Sequence, residues 1–99
     1  MDKKHSNSYV YILCNKNKNV LYVGCTNDLK KRLYFHKNGF ILGFTKKYNV
    51  NQLIYFEVFS SIDEALVRET QIKKYRREKK VNLISKANPN WREINLEIF

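Results

Sequence analysis

Three side chains of this sequence stand where a purely structural pattern would not put them. On an ideal helix advancing about 100° per residue, Ile62, Ala65, Leu66 and Ile72 share one apolar stripe, and Glu69 falls inside it. A carboxylate in such a stripe must neutralise, find a cation or bind a metal, because an unpaired buried charge is costly. A salt bridge to a neighbouring Lys or Arg is the plainest of these outcomes and stays open at this level. Earlier in the chain, His36 lies about 20° from Leu29 around a helix axis and Arg32 one turn before it, so both project from the edge of an apolar face toward a common site. Singly, each has an ordinary explanation: a solvated arginine, and a hydrogen-bonded histidine at the margin of a core. Together, a planar guanidinium, an imidazole and a hard carboxylate are groups that grip a phosphate, move a proton and hold a divalent cation.

Local signals along the chain supply a scaffold for these groups. Residues 8–14 and 20–25 are rich in β-formers, and the polar Asn15-Lys16-Asn17-Lys18-Asn19 between them makes a turn, which predicts a β-hairpin. Residues 27–38 read as a helix, with Thr26 or Asn27 as its cap, Leu29 and Leu33 on one face and Gly39 as the stop. Residues 40–51 suggest a loop with a short helical turn, and residues 53–59 a third strand. Ser61-Ile62-Asp63-Glu64 fits a capping box that opens a helix running to about Lys80. The stretch beyond it, with Pro89 and the Leu96-Glu97-Ile98-Phe99 end, has no firm assignment. This order predicts an α+β domain over residues 1–99: a small three-stranded antiparallel sheet flanked by helices, with one sheet face buried.

The chain of 99 residues offers room for one compact domain, and its 43% hydrophobic content suffices for one core. A formal net charge of +10 points to a polyanionic partner, of which nucleic acid is the commonest, although charge alone is a weak witness. Residues 1–7 are polar and no run of about 20 apolar residues occurs, so neither a secretory signal nor a membrane span is expected and a cytoplasmic location is. Cys14 and Cys25 stand alone, which argues against structural zinc and against a disulfide framework.

Tyr9-Val10-Tyr11, ten residues, Tyr22-Val23-Gly24, then Thr26, Asp28-Leu29, Arg32 and His36, together resemble the core of the GIY-YIG nuclease family, whose small bacterial members include domains like the N-terminal nuclease domain of an excision-repair endonuclease. The tract from Glu64 to Glu69, with Ile72-Lys73-Lys74-Tyr75 after it, is similar to the stretch that carries that family's metal-binding glutamate, so the resemblance covers nearly the whole chain. It implies that Tyr11 and Tyr22 line the site, that Arg32 contacts the scissile phosphate and that Glu69 holds one divalent metal. It places His36 where relatives carry His or Tyr, and matches Asn88 to a C-terminal asparagine bordering the site. The first triplet has Tyr9 in place of glycine, and Cys25 stands where the excision-repair members often carry a lysine. No separate DNA-binding domain accompanies the motif.

These residue types suit phosphodiester hydrolysis, which needs an activated water and neutralisation of charge on the phosphoryl and leaving oxygens. The expectation is an endonuclease dependent on one Mg²⁺ or Mn²⁺ held by Glu69, acting on DNA in repair, recombination or mobile-element processing, with a protein partner as one source of specificity. Arg32 would clamp the phosphate and Tyr11 would relay the water's proton, helped by His36. Gly24 would permit a tight turn or a close approach to substrate. Lys30, Lys31, Lys37, Lys46 and Lys47 in one segment, and Lys73, Lys74, Arg76, Arg77, Lys79 and Lys80 in another, would track phosphates without regard to sequence. Tyr34, Phe35, Tyr48 and Tyr75 among them are expected in the core. The runner-up is a nucleic-acid-binding module that keeps the fold without the chemistry; a basic accessory protein is a distant third.

Overall fold

The computed structural model describes residues 7–41 and 43–96, so residues 1–6 and the unassigned end, 97–99, lie outside the described residues. In chain order the elements are β1 (Ser8–Cys14), β2 (Leu21–Thr26), α1 (Leu29–Lys37), α2 (Phe44–Lys47), β3 (Gln52–Phe59), α3 (Ile62–Lys73) and α4 (Arg77–Ala87). The sheet order is β2-β1-β3 with both pairings antiparallel, the α+β architecture expected from the sequence.

β1 is the centre of the molecule, and its composition requires cover on both sides. Successive strand residues face opposite ways, so the run Val10-Tyr11-Ile12-Leu13-Cys14 sends large apolar groups to both faces. The expectation of one buried face is corrected accordingly. Val10, Ile12, Cys14, Val23 and Ile54 meet Ala65 and Ile72 of α3 and Ile84 of α4. Tyr11, Leu13 and Leu53 meet Leu29 and Leu33 of α1, together with Val50 and Leu96. Exposing either side would forfeit about 1.5–3 kcal/mol for each large side chain.

Two helix boundaries differ from expectation. α1 is capped by Asp28, whose side chain accepts from the Lys31 backbone N–H, and not by Thr26 or Asn27. Thr26 is still strand, paired with Tyr9, and its hydroxyl accepts from the Asp28 N–H instead. The helix expected to reach Lys80 is two helices, with Lys74–Arg76 between them. Both Ile72 and Ile84 are fully buried in the same core. A continuous helix would set them about 18 Å apart and about 120° around the axis, so the chain must turn to bring both to the sheet. No Gly or Pro marks this turn. Ser61 caps α3 through its hydroxyl on the Glu64 N–H, as the capping box requires.

The stripe on α3 is narrower than the apolar spacing suggested. Ala65 and Ile72 are buried, whereas Ile62 and Leu66 are exposed. α3 lies over β1 and β2 along the Ala65–Ile72 line, from which Arg68 and Glu69 diverge by about 50° to opposite sides. Arg68 leans to β3 and grips Glu57 with both its Nε (2.8 Å) and a terminal nitrogen (3.0 Å), while the other terminal nitrogen meets the Tyr75 hydroxyl at 3.1 Å. The Tyr55 hydroxyl donates to the same carboxylate. The sequence gives no sign of this cluster, because Glu57 and Arg68 each look like ordinary surface charges until the strand and helix are superposed.

Burial pushes the Glu57 carboxyl upward, but the hydrogen bonds from Arg68 and Tyr55 outweigh it and hold the group below its ordinary 4.5. A depressed carboxyl stabilises the fold above its unfolded pKa and loses that contribution as pH falls through the folded value. Wild-type protein should therefore lose melting temperature as pH drops below about 4.5. Glu57→Gln, which leaves Arg68 half-paired, should cost about 1–3 kcal/mol at neutral pH and flatten that acid slope. Thermal melts between neutral and acid pH check both; an unchanged slope in the variant would remove Glu57 as its source.

Candidate active site

On the sheet face covered by α1, β1 contributes Tyr11 and β2 contributes Tyr22 and Gly24. The register sets Tyr11 directly opposite Gly24. A Cβ at position 24 would come within 2.4 Å of the Tyr11 ring carbon and hydroxyl. Gly24 is thus the floor under the Tyr11 ring, a reason different from the tight turn or substrate approach expected for it. With the ring lying across β2, the Tyr11 hydroxyl reaches Nε2 of His36 on α1 at 3.2 Å. The other imidazole nitrogen, Nδ1, meets the Thr45 hydroxyl of α2 at 3.1 Å. Tyr11, Tyr22 and His36 form a ring triangle, with centroids 6.2 Å (Tyr11–Tyr22), 5.9 Å (Tyr11–His36) and 5.6 Å (Tyr22–His36) apart. Thr45 is not among the residues that the sequence singles out; its one signal is a hydroxyl that becomes buried on a four-residue helix of otherwise exposed residues.

Burial and the neighbouring Tyr22 drive the Tyr11 phenol well above its ordinary value, against the pull of Arg32. Burial, then the Arg32 guanidinium, lowers His36, so its imidazole is neutral at pH 7. Arg32 thus lies close enough to act on both groups. It is half-buried, and among the described residues no carboxylate forms an ion pair with it. Glu69 on α3 raises both Tyr11 and Cys25, so its charge lies within electrostatic reach of the phenol. Its carboxylate pairs with Lys73 one turn on, at 3.2 Å; Glu69 is 16% exposed and Lys73 53%. The salt bridge left open by the sequence therefore exists, but its cation is solvated. Pairs of that kind contribute about 0.3–0.5 kcal/mol, too little to account for a carboxylate on the buried side of α3.

The donor set fits a hard divalent cation. Among the described residues no cluster of three or more His, Cys, Asp or Glu exists, so Glu69 would be the one carboxylate ligand. Mg²⁺ accepts such a site, since it keeps several waters and takes phosphate oxygens alongside one or two carboxylates.

Lys30, Lys31, Lys37, Lys46, Lys47, Lys73, Lys74, Arg76 and Arg77 are all exposed. The first five lie on α1 and α2, which carry His36 and Thr45, and Lys73 and Lys74 follow Glu69 at the end of α3. Lys37 is paired with Glu93, and Arg77 reaches the Lys18 carbonyl at 3.4 Å. Asn88 is not brought into this group. Its amide donates to the carbonyls of Ile54 (2.9 Å) and Arg92 (2.8 Å), and its oxygen accepts from the Arg92 N–H. Ile54 is the β3 residue passed over where the register shifts between Ile12 and Leu13, so Asn88 ties the end of α4 to that irregularity. The aromatics expected in the core divide: Tyr75 packs against it, Phe35 is half-buried, and Tyr34 and Tyr48 are exposed. α1 and α2 spend their buried positions on Leu29, Leu33, His36 and Thr45, which leaves Tyr34 and Tyr48 outside.

A three-stranded sheet with two strand tyrosines, a helix arginine and histidine, and a glutamate on the opposite helix is the arrangement expected of the family that the sequence resembles. The GIY-YIG catalytic domain model matches residues 7–82, and the chain belongs to that family. It is 43% identical over 93 residues to a UPF0213 protein of Clostridium perfringens, spanning 90% of this chain and 99% of that one. A UPF0213 protein of Staphylococcus saprophyticus is 42% identical over 79 residues, covering 80% of this chain and 95% of the relative. The solution NMR structure of a UPF0213 protein from Bacillus halodurans is similar in fold, with a TM-score of 0.56 and 32% identity over 86% of this chain and 89% of that one. Among the described residues no helix is long and apolar enough to cross a membrane.

Because the Tyr11 ring occupies the space above Gly24, Gly24→Ala should displace the ring and break the Tyr11–His36 hydrogen bond. Overpacking of this kind costs about 1–3 kcal/mol, so the variant should fold with a lower melting temperature. The nitrogen and proton resonances of the His36 ring should shift with it. A variant with wild-type melting and an unmoved His36 signal would mean that Gly24 does not set the position of Tyr11.

Proposed function

We propose that the protein is a divalent-metal-dependent endonuclease that hydrolyses DNA phosphodiester bonds at the Tyr11–Tyr22–Arg32–His36–Glu69 site. The observation that carries this reading is the convergence of a phenol, a neutral imidazole and an arginine that has no carboxylate partner among the described residues, with the Glu69 carboxylate acting on the same phenol. A module that only bound nucleic acid would need the lysines but not that set.

Arg32 presents a planar fork that matches two oxygens of the scissile phosphate. Tyr11 is a phenol at neutral pH, and its hydroxyl faces His36 Nε2. It acts as a relay: its oxygen takes a proton from the attacking water as its own proton passes to Nε2 of the neutral His36. The resulting hydroxide forms the new P–O bond, the bond to the leaving oxygen breaks, and the leaving oxygen is protonated from solvent. Tyr22 flanks the pair, its ring set edge-on to both Tyr11 and His36. Glu69 would hold Mg²⁺ or Mn²⁺, which when bound supplies neutralisation of the charge on the phosphoryl oxygens. The exposed lysines of α1, α2 and the end of α3 supply sequence-independent phosphate contacts around the site.

Glu69→Gln is expected to abolish cleavage of labelled DNA in Mg²⁺ or Mn²⁺ while DNA binding persists. Its melting temperature should barely change, because only the solvated Lys73 pair is lost, on the order of 0.5 kcal/mol. Stabilisation of the wild type by divalent ions should be absent from the variant. Cleavage retained by Glu69→Gln would favour the binding module over the nuclease.

The state of His36 gives the pH dependence. Its imidazole is depressed below the ordinary 6.5, so the proton-accepting form persists to more acid pH than a free histidine would allow. The acid limb of kcat/KM should accordingly fall below pH 6.5, with rate lost as pH drops through the depressed value. His36→Gln should lower the rate and erase that limb. An acid limb at or above 6.5 in the wild type would take His36 out of the proton relay.

A further inference from the structure

The Tyr11 hydroxyl, the His36 imidazole and the Thr45 hydroxyl form one continuous chain of hydrogen bonds, 3.2 and 3.1 Å long. All three side chains are buried, at 2%, 6% and 5% exposure, with Tyr11 keeping a small opening. A neutral imidazole has one N–H and one bare nitrogen, and which is which depends on its partners. Phenols keep their proton at neutral pH, and Tyr11 can therefore donate to Nε2. That leaves the imidazole proton on Nδ1, where Thr45 Oγ1 is the partner at hydrogen-bond distance.

We propose that Thr45 is a positioning residue for the reaction, its hydroxyl accepting the Nδ1 proton of His36 and so fixing the tautomer that leaves Nε2 bare to receive the proton of Tyr11. The assignment rests on the nuclease reading for its consequence but not for its geometry. α2 is one helical turn long and could not persist by itself. Its residues Phe44, Lys46 and Lys47 and its C-cap Tyr48 are exposed, and Thr45 is its one buried side chain. The Thr45 backbone carbonyl is also engaged, by the Val50 N–H at 2.8 Å, so the residue is held from both ends. Among the described residues Thr45 Oγ1 is the hydrogen-bond partner of Nδ1, as Tyr11 is of Nε2, and with the phenol donating to Nε2 the threonine oxygen is the acceptor that the Nδ1 proton meets.

The test uses the full chain with nitrogen-15 in its histidines. In the wild type the His36 nitrogen shifts should report a proton on Nδ1 and a bare Nε2. Thr45→Val keeps the shape and removes the hydroxyl; it should move the proton population toward Nε2 and lower turnover on DNA by about 10- to 100-fold, as loss of an outer hydrogen-bond partner does, with DNA affinity unchanged. Thr45→Ser should restore both the tautomer and the rate. A wild-type spectrum with the proton on Nε2 overturns the proposal, as does a Thr45→Val protein with unaltered tautomer and rate. If Thr45→Val does not fold, the wild-type spectrum and the Thr45→Ser rate still decide the matter. If the wild type does not cut DNA, the nuclease reading falls, while the tautomer comparison between wild type and variants still tests what Thr45 does to His36.

Discussion

Position 24 carries no side chain, and the geometry of the whole site follows from that gap. Tyr11 belongs to the most buried strand of the protein, a place for apolar groups, yet its hydroxyl must meet partners on α1. Lying across Gly24 solves this: the ring stays packed against β2 while the hydroxyl emerges beside His36. His36 in turn can stand there because Leu29 and Leu33, on the same side of α1, are seated in the core. Thr45 holds the far nitrogen, so the small helix α2 and the loop around it are tied to the sheet through the imidazole. One missing Cβ thus propagates through a strand, a helix and a loop.

The opposite face shows a similar economy. Arg68 and Glu69 are consecutive, and α3 sits so that they descend on either side of its buried line. One is spent on structure, clamped to Glu57 and Tyr75; the other is left at the site with a solvated lysine as its only ion-pair partner among the described residues. The bidentate Glu57–Arg68 contact is the stronger type of ion pair, and it fixes the rotation of α3 about its axis. That rotation determines where Glu69 stands. The separation of roles explains how a charge can be kept on the buried side of a helix without the compensating pair that burial ordinarily requires.

Much of this is legible in the sequence. The hairpin, the third strand and the capped start of α3 follow from local chemistry; three candidate site residues are signalled by breaks in that chemistry, Glu69 among apolar positions and His36 and Arg32 at the margin of one, while Tyr11 and Tyr22 are singled out only by the family resemblance. Other features are hidden because they depend on two elements meeting. The end of α3 carries no Gly or Pro, and the turn there is imposed by the need to bury both Ile72 and Ile84. Thr45 looks like any loop hydroxyl until α2 folds onto His36. Gly24 is visible as a glycine, but its reason lies in the cross-strand register, which no local pattern announces. Tyr34 and Tyr48 mislead for the converse reason: aromatic residues near a core ordinarily join it, but the buried positions of their helices are already filled.

Cys25 bears on how the site acquires its positive charge. Burial, and next to it the Glu69 carboxylate, push the Cys25 thiol upward, so it is a neutral group at pH 7. The cations that act on this region are Arg32 from α1 and Lys73 from α3. Both reside on helices, at the ends of long side chains, and Lys73 is more than half exposed. On the metal-dependent reading proposed above, a helix lysine paired weakly to Glu69 would leave as a divalent ion took its place, at little cost. The positive charge beside Cys25 therefore stands on helix side chains that can rearrange.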